Sequence, residues 1–146
     1  FGAVVTASAG ETVAVSREAF FRQSDIVSLH VRLKPETRGL ITAEDFGQMQ
    51  PHALFVNTSR SGLVAPGVLE AEIAKGQLHA AVDVFDQEPL LDRENILLTH
   101  PNVLATPHIG FVTEDEFDMQ FSDIFDQVNA YAAGAPIHMI NPEAYH

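Results

Sequence analysis

The chain has 146 residues, 46% of them hydrophobic and 19% charged, an ordinary balance for one soluble domain with a core of its own. Eight Lys and Arg against 20 Asp and Glu give a net charge of -12, and cations this few and scattered exclude a reader of phosphate backbones, so no nucleic acid is expected as a partner. The absence of cysteine excludes a disulfide framework, a thiolate nucleophile and Cys-ligated zinc, and no apolar run reaches the ~20 residues of a membrane span, so a cytoplasmic location without membrane contact is expected.

Phe1 to Ala7 is short, apolar and β-branched and reads as a buried strand that closes on Ser8 to Glu11. It opens without an initiating Met, as a segment of a longer polypeptide would. Ser16 is placed to cap a helix from Arg17 to Gln23, and Ser24-Asp25 leads into a second buried strand, Ile26 to His30. Leu33 to Thr37 breaks it. Thr42 with Asp45 three residues on is a capping-box pattern for a helix to about Met49, which Pro51 ends. Ala53 to Asn57 is the third strand. Pro66 suits the first turn of a helix that runs to Lys75, with Gly76 as its left-handed cap. His79 to Phe85 and Asn102 to Thr106 are the fourth and fifth strands, joined by a polar loop with Pro89, Asp92, Arg93 and Glu94. Helices that alternate with continuously apolar strands, rather than period-two ones, predict an α/β fold built on a doubly wound parallel sheet covered on both faces.

The last element differs in kind. Thr113 to Glu116 is a capping box, and Phe117, Phe121, Ile124, Phe125, Val128 and Tyr131 recur at helical spacing up to Gly134. This long amphipathic helix carries more aromatic surface than one sheet face needs, so it is expected to pack partly on a second domain or subunit. The tail from Ala135 to His146, with Pro136 and Pro142, reads as extended.

Three polar residues end apolar runs: Arg60 after Asn57-Thr58-Ser59, Glu88 after Asp83 to Gln87, and His108 after Thr106-Pro107. In an open α/β sheet, ligands bind beyond the carboxyl ends of the strands, where such loops converge. An anion holder, a carboxylate and an imidazole are therefore candidates for one crevice.

Six motifs in order, Ser24 to His30, Pro35 to Ile41, Asn57 to Arg60, Asp83 with Glu88-Pro89, Thr106 to Gly110 and Asn141 to Glu143, resemble the D-isomer-specific 2-hydroxyacid dehydrogenases, the phosphoglycerate dehydrogenase-like enzymes that use a nicotinamide cofactor. The resemblance implies a Rossmann-like NAD-binding domain in residues 1–112, followed by a helix and tail, 113–146, that return to a substrate domain or pack on a partner subunit in a homodimer. It implies hydride transfer between the cofactor and a D-2-hydroxy or 2-keto acid. His108 would then take the hydroxyl proton as general base, with Glu88 beside it to fix the imidazole tautomer. Arg60 would hold the substrate carboxylate in its planar guanidinium fork. Implied cofactor contacts are His30, Val31, Thr37, Thr58, Ser59, Arg60, Asp83, His108 and Gly110, with Asp83 taking the nicotinamide amide.

The family's Gly-x-Gly-x-x-Gly phosphate loop is absent, and Phe1 aligns just after the helix that follows it, so the domain is expected to be incomplete and inactive by itself. The acidic ribose ligand expected after the first strand is replaced near Ser8-Ala9, which leaves two options: Glu11 as a substitute, or a ribose held differently. No Arg stands close by for a 2′-phosphate, which favours NAD over NADP. Ser61 stands where the family usually has Gly. An alternative from another class is a nucleotide-sensing binding module or corepressor on the same fold. A hydrolase through Ser59 or Ser61 lacks the Gly-x-Ser-x-Gly elbow, and no His-Glu-x-x-His motif calls for a metal.

Overall fold

The computed structural model describes residues 16–145; the expected strand from Phe1 to Ala7, its Ser8-Ala9 end and Glu11 lie outside them. The first described helix, α1 (Arg17–Gln23), begins where Ser16 Oγ accepts the Ala19 N–H at 3.0 Å. A reciprocal box opens α2 (Ala43–Gln48), in which the Thr42 N–H donates to Asp45 Oδ2 at 2.8 Å. Arg17 joins the two helices, its Nε and Nη2 donating to the two Asp45 oxygens at 2.5 and 2.6 Å while Nη2 also reaches the Leu40 carbonyl. Burial resists ionisation of Asp45, but the bonds from Arg17 and Thr42 outweigh it and hold its carboxyl below the usual range.

Four parallel strands, β1 (Ile26–Ser28), β2 (Leu54–Asn57), β3 (His79–Val82) and β4 (Val103–Ala105), lie side by side in chain order. Each is shorter than its apolar run: β1 and β3 stop early at the carboxyl end, β2 starts one residue late, and β4 loses one residue at each end. Helix α3 (Val68–Ala74) lies between β2 and β3. It starts two residues after Pro66, since Gly67 takes the left-handed conformation at φ +71°, and it stops before Gly76 at φ +73°, as expected. One short helix, α4 (Ile96–Thr99), was not anticipated in the 86–101 loop. Its cap is Asn95, whose Oδ1 accepts from the Leu97 N–H at 2.9 Å, and four residues are too few for a periodic signal.

Register puts Val27, Phe55, Ala80 and Val103 on one face, where Phe55 is fully buried and Phe46 of α2 meets it edge-on with ring centroids 4.9 Å apart. On the opposite face Ile26 and Leu104 are 63% and 67% exposed.

The chain divides into two compact units between Gly110 and Phe111. In the second, α5 (Glu114–Ala132) starts where Thr113 Oγ1 accepts the Glu116 N–H at 3.2 Å. Phe117 and Phe121 pack ring to ring along it, while Ile124, Phe125 and Val128 are at least half exposed. The tail, expected to be extended, contains one 3-10 turn, Pro142–Ala144.

Candidate active site

Because all four strands are parallel, their carboxyl ends share one edge, and the four loops that follow carry the polar residues singled out from the sequence. The loop after β4 carries His108 with its backbone at φ +55°. Histidine tolerates this left-handed region better than most residues, yet it costs of order 1–3 kcal/mol and persists only where neighbours impose it. Asp83, just beyond β3, imposes it. Its Oδ1 accepts from Thr106 Oγ1 at 2.5 Å and from the Ile109 N–H at 2.9 Å, and its Oδ2 accepts from the Gly110 N–H at 2.8 Å. Burial resists the Asp83 charge, but these bonds prevail and keep its carboxyl below the usual range. The resemblance assigns Asp83 to the nicotinamide amide; the structure engages both of its oxygens with the His108 loop and leaves it 3% exposed. Gly110, also an implied cofactor contact, lies so close that a Cβ there would stand 3.0 Å from Asp83 Oδ2.

His108 Nδ1 pairs with Glu88 Oε2 at 2.6 Å, and Glu88 Oε1 accepts the Phe85 N–H at 2.9 Å, so both carboxylate oxygens are fixed. The bond to His108, then the one from Phe85, hold the Glu88 carboxyl below its ordinary value, with a further contribution from the positive field of Arg60. A cavity of about 530 Å³ opens between this pair and Phe85, Leu98 and Pro107.

Arg60 follows β2 on a loop shaped by Asn57, which is 2% exposed. The Asn57 amide donates to the Arg60 carbonyl at 3.0 Å and its Oδ1 accepts the Ser59 N–H at 3.1 Å. Sequence reasoning gave Asn57 no role of its own; an Asn at a strand end, able to form an Asx turn, was the available signal. Ser59 Oγ donates to the Val31 carbonyl at 3.1 Å and ties this loop to the one after β1. Between them lies a second cavity, of about 520 Å³, lined by His30 to Leu33 and by Thr58 to Arg60. Its cationic rim and adjoining apolar wall suit a dinucleotide, which combines flat rings with negative charge. Thr37 does not line either cavity, but its hydroxyl donates to the carbonyl of Arg32, which lines the first of them, and accepts the Lys34 N–H, each at 2.8 Å. Arg60 and the His108–Glu88 pair line different cavities on the loops after β2, β3 and β4.

Among the described residues no group of three or more His, Asp or Glu could hold a metal ion, and no helix is long and apolar enough to cross a membrane.

Residues 3–110 match the family model described as D-isomer specific 2-hydroxyacid dehydrogenase, NAD binding domain. A glycerate dehydrogenase of Methylorubrum extorquens is 35% identical over 129 residues, which cover 86% of this chain and 41% of that protein. Among solved structures, a phosphoglycerate oxidoreductase from Vibrio cholerae superposes with a TM-score of 0.78 at 41% identity, over 86% of this chain and 40% of that one. A D-isomer specific 2-hydroxyacid dehydrogenase from Xanthobacter autotrophicus in complex with NADPH and MES superposes with a TM-score of 0.62 at 30% identity, over 88% and 53%. The chain thus spans about two fifths of the length of the curated relative it matches.

Proposed function

The chain belongs to the D-isomer specific 2-hydroxyacid dehydrogenases and corresponds to their NAD-binding domain, and from that premise we propose that the protein interconverts a small D-2-hydroxy acid and its 2-keto acid with NAD or NADP. The observation that carries this reading is the 2.6 Å His108–Glu88 pair, held by the Asp83 clamp at the strand edge where Arg60 also lies.

The nicotinamide, when bound, supplies the hydride acceptor or donor. As the C2–H bond of the hydroxy acid breaks, the hydroxyl proton passes to His108, which returns it to the carbonyl oxygen in the reductive direction. With Nδ1 committed to Glu88, Nε2 is the nitrogen that exchanges the proton. The guanidinium of Arg60 holds the substrate carboxylate and turns the reacting carbon toward the imidazole. His30, Val31, Thr58 and Ser59 are the residues that would line the cofactor, and Thr37 supports the Arg32 to Lys34 turn beside them.

The half-exposed aromatic stripe of α5 supports packing of residues 113–146 on a substrate domain or on the partner in a homodimer. The cysteine-free composition supports a cytoplasmic location. Glyoxylate, hydroxypyruvate, pyruvate and phosphohydroxypyruvate form the natural assay panel. Oxidation of NADH or NADPH by the natural polypeptide with any of them is the expected result, and silence with all four would favour a nucleotide-sensing module.

A further inference from the structure

The cations of this acidic chain are not spread evenly over its surface. Arg17, Arg22 and Lys75 form salt bridges to Asp45, Glu18 and Glu72. Four of the remaining five lie on the two loops that border the 520 Å³ cavity. Arg32 and Arg60 line it, and Lys34 follows Leu33 of its wall. Arg38 places Nη1 3.1 Å from where a Cβ of Gly62 would stand, beside that same leucine. None of these four has a salt bridge among the described residues, and the one carboxylate in the 29–38 stretch is Glu36.

Leaving four cations together and unbridged in a chain of net charge -12 sets up local repulsion that a bound anion would relieve. A single carboxylate, matched by the fork of Arg60, accounts for one of them. The turn that presents the others is fixed, because the Thr37 hydroxyl ties the Arg32 carbonyl and the Lys34 amide at 2.8 Å each. A guanidinium and an ammonium two residues apart on a fixed rim are suited to a doubly charged group with three acceptor oxygens.

We propose that this cavity holds a phosphoryl group of the bound ligand, with Arg32 and Lys34 as its donors and Arg60 kept for the substrate carboxylate. The inference rests on the dehydrogenase reading above, which makes two sources of that group available: the 2′-phosphate of NADPH and the phosphate of a phosphorylated hydroxy acid. Arg32 follows β1, so the absence of an Arg after the Phe1 to Ala7 strand does not decide between NAD and NADP.

Calorimetric titration of the natural polypeptide with NADPH against NADH, and with D-3-phosphoglycerate against D-glycerate, tests this without requiring turnover. In the Arg32→Ala, Lys34→Ala double variant, the preference for the phosphorylated member should fall at least tenfold in one of the two pairs, and the responding pair identifies the source. Arg32→Glu should lower it further in the same pair. Both side chains are exposed and form no salt bridge among the described residues, so the variants should fold, which circular dichroism checks. The proposal is overturned if the wild type favours neither phosphorylated ligand or if both preferences change less than threefold. Turnover with the keto acid panel stands or falls separately, so a failure here is distinguishable from a failure of the dehydrogenase reading.

Discussion

Gly110→Ala puts the clamp around His108 under direct load. The added Cβ would stand 3.0 Å from Asp83 Oδ2 and 3.6 Å from its Cγ, and the first distance is tighter than nine in ten real Cβ contacts, so a neighbour must give by a few tenths of an ångström. The carboxylate cannot swing aside cheaply, since Thr106 and Ile109 hold its other oxygen and the residue is 3% exposed. The loop must move instead, stretching or losing the 2.8 Å bond from the Gly110 N–H. A hydrogen bond to a buried charged group contributes about 1.5–3 kcal/mol, and partial loss with some relaxation gives an expected destabilisation of about 1–3 kcal/mol. Because the same segment holds His108 at φ +55°, kcat should fall roughly tenfold or more. Gly47→Ala is the internal control: it lies inside α2 with nothing within 4 Å of the new methyl and should stabilise by about 0.5–1 kcal/mol. Urea midpoints and steady-state kinetics on both variants read these effects. A Gly110→Ala protein with unchanged midpoint and unchanged kcat would refute the idea of a rigid clamp.

Three further outcomes follow from the same contacts. Glu88→Gln keeps the shape of the side chain but removes the charge paired with His108 at 2.6 Å, so kcat should fall roughly tenfold to a thousandfold with little change in the thermal midpoint; equal kcat would remove Glu88 from the mechanism. Asp45→Ala removes a capping box and the Arg17 pair, whose arginine is partly exposed, and should cost about 1–2 kcal/mol in urea denaturation, whereas a loss below about 0.3 kcal/mol would mean that the α1–α2 bridge is inert. Asp83 and Asp45 are both more acidic in the folded state than in an unfolded chain, so the stability they contribute is whole above their unfolded value of about 4 and is lost as pH falls through the lower folded values. The acid side of a stability–pH profile should therefore be shallower in Asp83→Asn than in the wild type, and parallel curves would contradict the assignment.

Much of this was legible from local patterns. Ser16, Thr42 and Thr113 mark their helices because a side-chain oxygen can satisfy amides within three residues, a relation that sequence displays directly. The placement of Arg60, Glu88 and His108 at strand ends was equally visible, since a polar residue closing an apolar run in an alternating chain has one edge to go to. What stayed hidden depends on partners far apart in the chain. Asp83 turns inward to residues 23 to 27 positions away, a choice made by the geometry of two neighbouring strand ends. Arg32, Lys34 and Arg38 lie within seven residues, and Arg60 comes near them only when β1 and β2 pair, which brings their end loops together. The four-residue α4 fell below what hydrophobic periodicity resolves.

The central claim, that His108 moves the proton in a hydride transfer, is tested most directly by His108→Gln in the natural polypeptide, assayed for kcat and for NADH binding in parallel. A kcat at least about a hundredfold lower, with the NADH dissociation constant within threefold of the wild type, is expected. A kcat within threefold of the wild type would contradict it.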